Sequence, residues 1–475
     1  MRQNVEEILK DVRESLEIGD TARLTAQLEA VHPADLADIY SVLNDDHRSQ
    51  LVFSLPPRAT AALIAELDEA ERSEAVEDID ASELSEVVTE LDPDDAADVL
   101  LELTDEQREF VLDQLPDEQS DRLEELLEFD EESAGGIMTP DLIALPQKAT
   151  VREAVDAVRQ AAEGADVHYV YTVDDDNRLV GLVPLRLLVT SRDNTSLASI
   201  SVEDPVVVHV DDDQEDVANK MRKYDLTTVP VIDGDGRLRG QITHDDVLDI
   251  AEEEAAEDIY LMAGTAPEEL EDVSSFRAAS YRLRWLLACM IGTTISAMIV
   301  GSFNHAVPHK IYLAMVMFVP MMGAMGGNSG IQISTILVRA LATGDLASTK
   351  IRLMIAREIP ITLIMAPCCG AMAALIVFFG LPFLQSWGMV YPEVPRYLMT
   401  AAVGCGMTVA ILTASVLGMS LPYLFKKFGV DPAIASGPVV TTMNDIVSVL
   451  SYFLIGSLIL GGGQAATALT AALGF

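Results

Sequence analysis

Cysteine and histidine are scarce in this sequence, and neither forms a metal-binding pattern. Seven histidines and four cysteines occur among 475 residues. The four cysteines lie in apolar runs without the spacing of a zinc site or a disulfide framework, at Cys289, Cys368, Cys369 and Cys405. We therefore expect small, buried packing residues and no thiol chemistry.

Basic residues are also few, and they are unevenly distributed. The chain has 31 Lys and Arg against 76 Asp and Glu. From Phe276 onward eleven basic residues face five acidic ones, so the part before Phe276 carries a net charge of −51. Such a surface repels nucleic acid and attracts cations, so we expect no nucleic-acid partner. A cytosolic surface that is acidic as an adaptation to salt is the alternative interpretation.

The first residues contain no apolar segment. Met1 to Glu7 lack the apolar core and cleavage site of a secretory signal. We expect the N-terminal part of the chain to stay in the cytoplasm.

Residues 1–130 read as short helices that repeat at an offset of 60. The run 32–38 recurs as 92–98, and 43–56 recurs as 103–116. Such self-similarity predicts an all-α solenoid of stacked helical hairpins. Its aspartates Asp94, Asp95 and Asp98 either bind a cation at a domain contact or cap helices on a solvated face.

Residues 137–250 alternate strands with helices and repeat at an offset of 59. The runs 170–174 and 178–181 recur as 229–233 and 237–240, which predicts two α/β units. They resemble a tandem pair of CBS domains. By that resemblance Gly240, Thr243 and Asp246 would hold the ribose and phosphates of ATP or another adenine nucleotide, and the first unit departs from this pattern.

The next segment, which we assign as a connecting helix at 251–281, begins in a run of acids. Ala, Glu and Leu favour helix from Asp245 to Asp258. Asp246, Asp249, Glu253 and Glu257 share one stripe, where like charges repel. A divalent cation would remove that repulsion; a solvated tether is the alternative.

Residues 282–475 are apolar and contain five predicted membrane spans. They are 283–304, 311–341, 353–381, 396–424 and 437–461. Basic residues cluster before the first span, in the second loop and at the end of the fourth span. The positive-inside rule therefore places the soluble part in the cytoplasm and the C-terminus outside.

The last span carries one acid, Asp445, well inside the apolar run that begins at Gly437-Pro438. An acid at that depth costs several kcal/mol unless it meets water, a partner or a cation. Thr441 and Ser448 are predicted on the same helical face. A carboxylate used only for helix packing is the alternative.

The second span crowds small residues between Pro320 and Gly330. Either an interrupted helix turns carbonyl groups towards a cavity, or small residues allow close helix packing. Glu358, beside Arg357, is interpreted as an ion pair at the cytoplasmic end rather than as a second pore acid.

Together these segments resemble the MgtE family of magnesium channels over nearly the whole chain. Three local matches carry the resemblance: 326–332, 252–258, and 431–445. The resemblance implies a homodimer in the cell (inner) membrane, with lipid around it and a pore on the two-fold axis. Asp445 would select hydrated Mg²⁺ there. The other predicted pore-lining residues are Gly326, Gly327, Asn328, Gly330, Gly437 and Thr441.

The resemblance also implies that intracellular Mg²⁺ closes the pore. The corresponding regulatory ligands are Asp246, Asp249, Glu254, Glu257 and Asp258, with Asp94, Asp95 and Asp98 as candidates. A carrier of Co²⁺ or Ni²⁺, an ion-coupled carrier and a non-conducting CBS sensor are the alternatives. An enzyme is not expected, because no span combines a nucleophile, a base and an orienting group.

Overall fold

The computed structural model describes residues 5–18, 21–28, 31–77, 79–161, 167–266, 275–305, 307–342, 348–428 and 430–460. The chain divides into two compact units, 1–253 and 254–475. The boundary between them falls within the acidic run that follows the second predicted α/β repeat.

The first part of unit 1 is a helical repeat. Its helices are α1 (Val5–Ile18), α2 (Thr21–Leu28), α3 (Pro33–Ser41), α4 (Asp45–Ser54), α5 (Pro57–Ile64), α6 (Glu69–Glu77), α7 (Ala81–Glu90), α8 (Pro93–Leu101), α9 (Asp105–Gln114) and α10 (Asp117–Leu126). The helices α3, α4 and α5 begin 60 residues before α8, α9 and α10, so the predicted repeat is confirmed. Proline at the first position starts several of them, because that position needs no backbone donor.

In each repeat an arginine hydrogen-bonds to carbonyl groups at the C-terminal end of the corresponding helix, α3 or α8. Arg48 Nε donates to the Tyr40 carbonyl oxygen at 3.1 Å, and Arg108 Nε donates to the Leu100 carbonyl oxygen at 2.8 Å. Arg108 also donates to the carbonyl oxygen of Leu103 at 3.1 Å. The last carbonyl groups of a helix lack intrahelical donors, so each arginine satisfies groups that would otherwise be unpaired.

We expect the substitution Arg108→Met to destabilise this part of unit 1. It leaves the carbonyl groups at the end of α8 without donors, at a cost of about 1–2 kcal/mol because the side chain is partly exposed. Amide hydrogen exchange in α8 should accelerate roughly 5–30-fold. Arg58→Met, at an exposed position, is the matched control, and equal exchange in both variants would contradict the assignment.

The second part of unit 1 holds two similar α/β repeats. The first contains β1 (Ala144–Pro146), α11 (Val151–Ala161), β2 (Tyr169–Val173), β3 (Leu179–Pro184), α12 (Leu185–Thr190) and β4 (Val202–Glu203); the second contains β5 (Val208–His209), α13 (Gln214–Tyr224), β6 (Thr228–Ile232), β7 (Leu238–Thr243) and the start of α14 (His244–Ala263). The sheet orders are β1-β2-β3-β4 and β5-β6-β7. In each sheet the first pair is parallel and the second is antiparallel.

Residues 59 positions apart in the two repeats have the same strand pairing and the same turn hydrogen bonds. Thr172 pairs with Gly181 in the first hairpin, and Val231 pairs with Gly240 in the second. The Asp174 carboxylate accepts the backbone N–H groups of residues 176 and 178, and Asp233 does the same at 235 and 237. This is the Asx turn that aspartate favours.

Unit 2 is helical. After the end of α14 come α15 (Ser275–Ser302), α16 (His309–Val316), α17 (Val319–Ala342), α18 (Ser348–Ser386), α19 (Arg396–Lys427), α20 (Pro432–Ile434) and α21 (Val440–Leu460). Within the described residues, four helical stretches are long and apolar enough to cross a membrane. The pair α16 and α17, bent by 43°, adds a fifth when it is counted as one span.

The proposed interruption between Pro320 and Gly330 is wrong. Helix α17 runs through this stretch without a break, and the bend precedes it, between Val316 and Val319. Pro320 is the second residue of α17, where proline does not remove an intrahelical hydrogen bond. Two of its glycines, Gly326 and Gly330, pack against α21.

Candidate functional site

A cavity of about 370 Å³ lies among α15, α17 and α21 in unit 2. Its lining residues are Ser296, Val319, Pro320, Gly323, Ala324, Gly327, Asn328, Ile331, Thr441, Asp445 and Val449. Asp445 is the one acidic side chain among them. Six waters occupy roughly 180 Å³ at ~30 Å³ each, so the volume suits a hexahydrated cation.

Two glycines of α17 make room for the Asp445 carboxylate. A Cβ atom at Gly323 would lie 3.3 Å from Asp445 Oδ1, and one at Gly327 would lie 3.7 Å from the same oxygen. They are four residues apart and therefore share a face of α17. Any larger residue at Gly323 would displace the carboxylate or fill the cavity beside it.

A neighbouring face of α21 packs against two other glycines. Ser448 lies against Gly326, and Asn444 lies against Gly330. Asn444 and Ser448 are fully buried, and neither the Asn444 amide nor the Ser448 hydroxyl has a hydrogen-bond partner. The prediction that Ser448 lies beside Asp445 on the cavity face is therefore wrong. Gly326 and Gly330, predicted to line the pore, pack between helices in this structure.

The approach to α21 is a single turn of π-helix at Ala435–Val439. Gly437 within it has φ −93° and ψ −110°, which are not helical angles. The Thr441 hydroxyl donates to the Gly437 carbonyl oxygen at 3.0 Å, and the Ser436 hydroxyl donates to that of Ala433 at 3.0 Å. Side-chain hydroxyls thus satisfy carbonyl groups where the helix is broken.

The end of α14 packs directly on this break. A Cβ atom at Gly437 would collide with the backbone of Met262. Gly264 has a φ of +78°, and a Cβ atom there would lie 2.7 Å from Pro438 Cγ. Gly437, predicted to line the pore, therefore contacts the connecting helix and is absent from the cavity lining.

Two carboxylates approach each other near the same break. Asp258 lies on α14, and burial followed by the negative charge of Asp431 raises its pKa to about 6. Asp431 precedes α20, and its Oδ1 accepts the backbone N–H of Ala433 at 2.8 Å. Glu254 and Glu257 lie on α14, partly buried, in the turns before Asp258.

A second acidic cluster lies within unit 1, where the start of α8 meets the start of α14. Burial raises the pKa of Asp94 well above its usual value, and the charges of Asp95 and Asp246 add to this. The pKa of Asp95 is raised to about 7, first by burial and then by Asp98, Asp92 and Asp246. Ionising these groups together is costly without a cation.

The remaining predicted acids of unit 1 have defined neighbours. Burial raises the pKa of Asp249, with further contributions from the charges of Asp245, Glu252 and Glu66. Asp98 forms an ion pair with Arg72 at 3.1 Å. In the described part of the chain, no three His, Cys, Asp or Glu side chains converge closely enough to hold a metal ion directly.

The predicted nucleotide residues lie together at the junction of β7 and α14. The Thr243 hydroxyl donates to Asp246 Oδ2 at 2.5 Å, and the same oxygen accepts the Thr243 N–H at 3.2 Å. This arrangement caps the start of α14. A Cβ atom at Gly240 would lie 2.8 Å from the Thr139 carbonyl oxygen, so glycine permits a close strand contact there.

Comparison with known families divides the chain in the same order as the fold. Residues 31–132 match the MgtE intracellular N domain, and 134–192 and 197–253 match the CBS domain. Residues 319–455 match the MgtE divalent cation transporter family.

Similarity to curated proteins extends over the full length. The magnesium transporter MgtE of Thermus thermophilus is 32% identical over 461 residues, which cover 96% of this chain and 99% of the relative. The chain belongs to the MgtE family of magnesium transporters. The MgtE protein of Enterococcus faecalis is 35% identical over 337 residues, 71% of each chain.

Two solved structures match about half of the chain. A crystal structure of the cytosolic domain of the Mg²⁺ channel MgtE in complex with ATP covers 51% of this chain and 99% of its own, at 36% identity and a TM-score of 0.49. The soluble part of a magnesium transporter covers 53% and 100%, at 32% identity and a TM-score of 0.48.

Membership in the MgtE family confirms the predicted fold class and the prediction of a transporter rather than an enzyme. The roles of individual residues stay predictions. Sequence reasoning missed Ser296, Gly323, Gly264 and Asp431. Only two of them carried a signal: Gly323 precedes Gly327 by one helical turn, and the pair Asp431-Pro432 is typical of a helix start.

Proposed function

We propose that this chain is a magnesium-selective channel in which Mg²⁺ passes Asp445 and intracellular Mg²⁺ closes the pore. The observation that carries the proposal is one carboxylate in a cavity of about 370 Å³, with Ser296, Asn328 and Thr441 also in its lining, between membrane-length helices. Magnesium transport itself is the activity of the curated relatives.

The cavity chemistry suits a hydrated ion. Mg²⁺ requires octahedral oxygen ligands and gives up its water reluctantly, so it is usually bound through one or two carboxylates. Asp445 attracts the charge, and Asn328 and Thr441 line the cavity beside it. Binding through water is weak enough to let the ion leave. No cysteine or histidine lines the cavity, which argues against Co²⁺ or Ni²⁺ as the preferred cargo.

The conducting form is a homodimer with its pore on the two-fold axis. Two copies of Asp445 then face the same ion, and their charge of −2 matches that of Mg²⁺. The cytoplasmic side carries both soluble repeats, because the basic residues flanking the spans cluster there. Five spans place the end of α21 outside, and the membrane potential drives Mg²⁺ inward.

Gating follows from charge neutralisation at two places. In unit 2, Mg²⁺ between Asp258 and Asp431 holds the end of α14 against the break at Gly437, with Glu254 and Glu257 adding negative charge. In unit 1, Mg²⁺ neutralises Asp94, Asp95 and Asp246, with Asp249 nearby. When internal Mg²⁺ falls, like charges separate, and the population shifts to the open form.

Adenine-nucleotide binding at the CBS pair stays a prediction. A nucleotide that used Thr243 and Asp246 would compete with the hydrogen bonds that now join them. Because Asp246 also belongs to the acidic cluster, ATP and Mg²⁺ would then be coupled. Titration of the purified chain with ATP, with and without Mg²⁺, tests this.

The proposal is tested by Mg²⁺ flux into liposomes that contain the purified chain. Flux should rise with membrane potential and fall as Mg²⁺ on the cytoplasmic side increases. Dependence on a proton or sodium gradient would indicate a coupled carrier instead. Absence of flux for Mg²⁺, Co²⁺ and Ni²⁺ would indicate a non-conducting sensor.

We expect Mg²⁺ to act on unit 1 more strongly at pH 8 than at pH 6. The pKa of Asp95 near 7 means that protons occupy the site at pH 6 and must leave when Mg²⁺ binds. Without Mg²⁺ the folded state holds this proton and the unfolded state does not between about pH 4 and 7, so stability falls as pH rises through that window.

Amide hydrogen exchange of α8 at both pH values, with EDTA and with MgCl2, measures these effects. The Mg²⁺ concentration for half-maximal protection should decrease up to roughly tenfold from pH 6 to pH 8, given one proton displaced per ion. A concentration that does not depend on pH would contradict the assignment.

A further inference from the structure

Arg72 places a positive charge beside the acidic cluster of unit 1. It lies on α6, and its Nη1 donates to Asp98 Oδ2 at 3.1 Å. Its side chain is only 16% exposed, and its Nε is buried without a hydrogen-bond partner. The bond to Asp98 therefore leaves part of a buried guanidinium unsatisfied, which is costly unless its charge interacts with further carboxylates.

Those carboxylates are the ones assigned above to Mg²⁺ sensing. The charge of Arg72 opposes the rise in the pKa of Asp95, so the two groups interact electrostatically. Asp94 Oδ1 is buried and has no hydrogen-bond partner. The cluster thus contains an unsatisfied carboxyl oxygen next to carboxylates that one fixed cation neutralises in part.

We propose that Arg72 is a built-in competitor of Mg²⁺ at the cluster formed by Asp94, Asp95 and Asp246, and that it sets the Mg²⁺ concentration at which the channel closes. The proposal rests on the sensing role given above. A fixed positive charge at the cluster repels an incoming divalent cation and replaces part of the stabilisation that the cation would supply. The chain therefore responds only when Mg²⁺ exceeds a set level.

A structural role for Arg72 predicts the opposite sign. If the bond to Asp98 only joined α6 to α8, its loss would loosen the compact form and raise the Mg²⁺ concentration needed for closure. If Arg72 competes with Mg²⁺, loss of its charge lowers that concentration.

The experiment uses the full-length chain in liposomes, titrated with MgCl2. Two midpoints are measured, one for inhibition of flux and one for protection of α8 from hydrogen exchange. Arg72→Gln should lower both midpoints about three- to tenfold, as for removal of one charge near a divalent ion. Arg72→Lys keeps the charge, so its two midpoints should stay near those of the original chain. The difference in midpoint between Arg72→Gln and the original chain should shrink in high salt.

A second pair of variants tests the charge of Arg72 in a chain that already lacks the Arg72–Asp98 ion pair. Asp98→Asn lacks the ion pair, so adding Arg72→Gln to it changes the charge alone. The double variant should show lower midpoints than Asp98→Asn. Arg152→Gln, which breaks an exposed ion pair elsewhere in unit 1, is the matched control.

The outcomes separate the two proposals. If the original chain shows no Mg²⁺-dependent protection of α8, the sensing role itself is wrong. If Mg²⁺ does protect α8, the sensing role stands. The competitor role is then overturned if Arg72→Gln leaves both midpoints unchanged or raises them, in the original chain or in Asp98→Asn.

Discussion

Replacing Asp445 with asparagine is expected to abolish Mg²⁺ flux. Asparagine has nearly the same shape, so it keeps the packing against Gly323 and Gly327 and removes only the negative charge. Interactions with a charged group contribute about 1.5–3 kcal/mol each, which corresponds to roughly a 10–100-fold change per subunit. With two subunits at one ion, we expect flux below detection in liposomes loaded with a Mg²⁺ indicator.

A second membrane-domain carboxylate provides the control for this substitution. Glu358 is absent from the residues lining the Asp445 cavity and lies instead beside residues of α17, α18 and α19. Glu358→Gln should retain most of the flux. Unchanged flux in Asp445→Asn, with the cavity unaltered, would show that the ion takes another path.

Replacing both Asp258 and Asp431 with asparagine is expected to weaken strongly the dependence of flux on internal Mg²⁺. The two carboxylates lie close enough for the charge of Asp431 to raise the pKa of Asp258. Neutral amides neither repel each other nor attract Mg²⁺, so the ion loses the differential affinity for the closed form that this pair supplies. A ligand shifts an equilibrium only by its differential affinity for the two states, so only the acidic cluster of unit 1 still favours closure.

The measurement is the ratio of flux at low internal Mg²⁺ to flux at high internal Mg²⁺. It should fall towards one in the double variant, while the ion path past Asp445 stays intact. Glu393→Gln breaks an exposed ion pair with Lys310 and should leave the ratio unchanged. A double variant that still closes with the original Mg²⁺ dependence would remove the Asp258–Asp431 pair from the gating mechanism.

Periodicity made the soluble folds predictable. The offsets of 60 and 59 residues reappear in helix starts, in the carbonyl contacts of Arg48 and Arg108, and in the hairpin registers. Each repeat is a local unit with its own turn and capping residues, so nearby sequence decides its structure. The membrane spans were predictable for a similar reason, since length and hydropathy suffice.

The lining of the cavity was only partly predictable. Gly327, Asn328, Thr441 and Asp445 were expected and do line it. Ser448 was misplaced, because its three-residue spacing from Asp445 is compatible with two adjacent faces of a helix. Which face meets the cavity depends on the rotation of α21 against α17, and a single helix does not determine that rotation.

The sequence by itself determined the repeats, the apolar spans and the presence of a lone acid inside the last span, because each depends on residues close together in the chain. Only the tertiary structure decided which glycines surround Asp445, that Met262 packs on Gly437, that Asp431 lies near enough to Asp258 to raise its pKa, and that Arg72 stands beside the acids of α8. These contacts join residues from separate helices, and their geometry is fixed by close packing between elements rather than by local pattern.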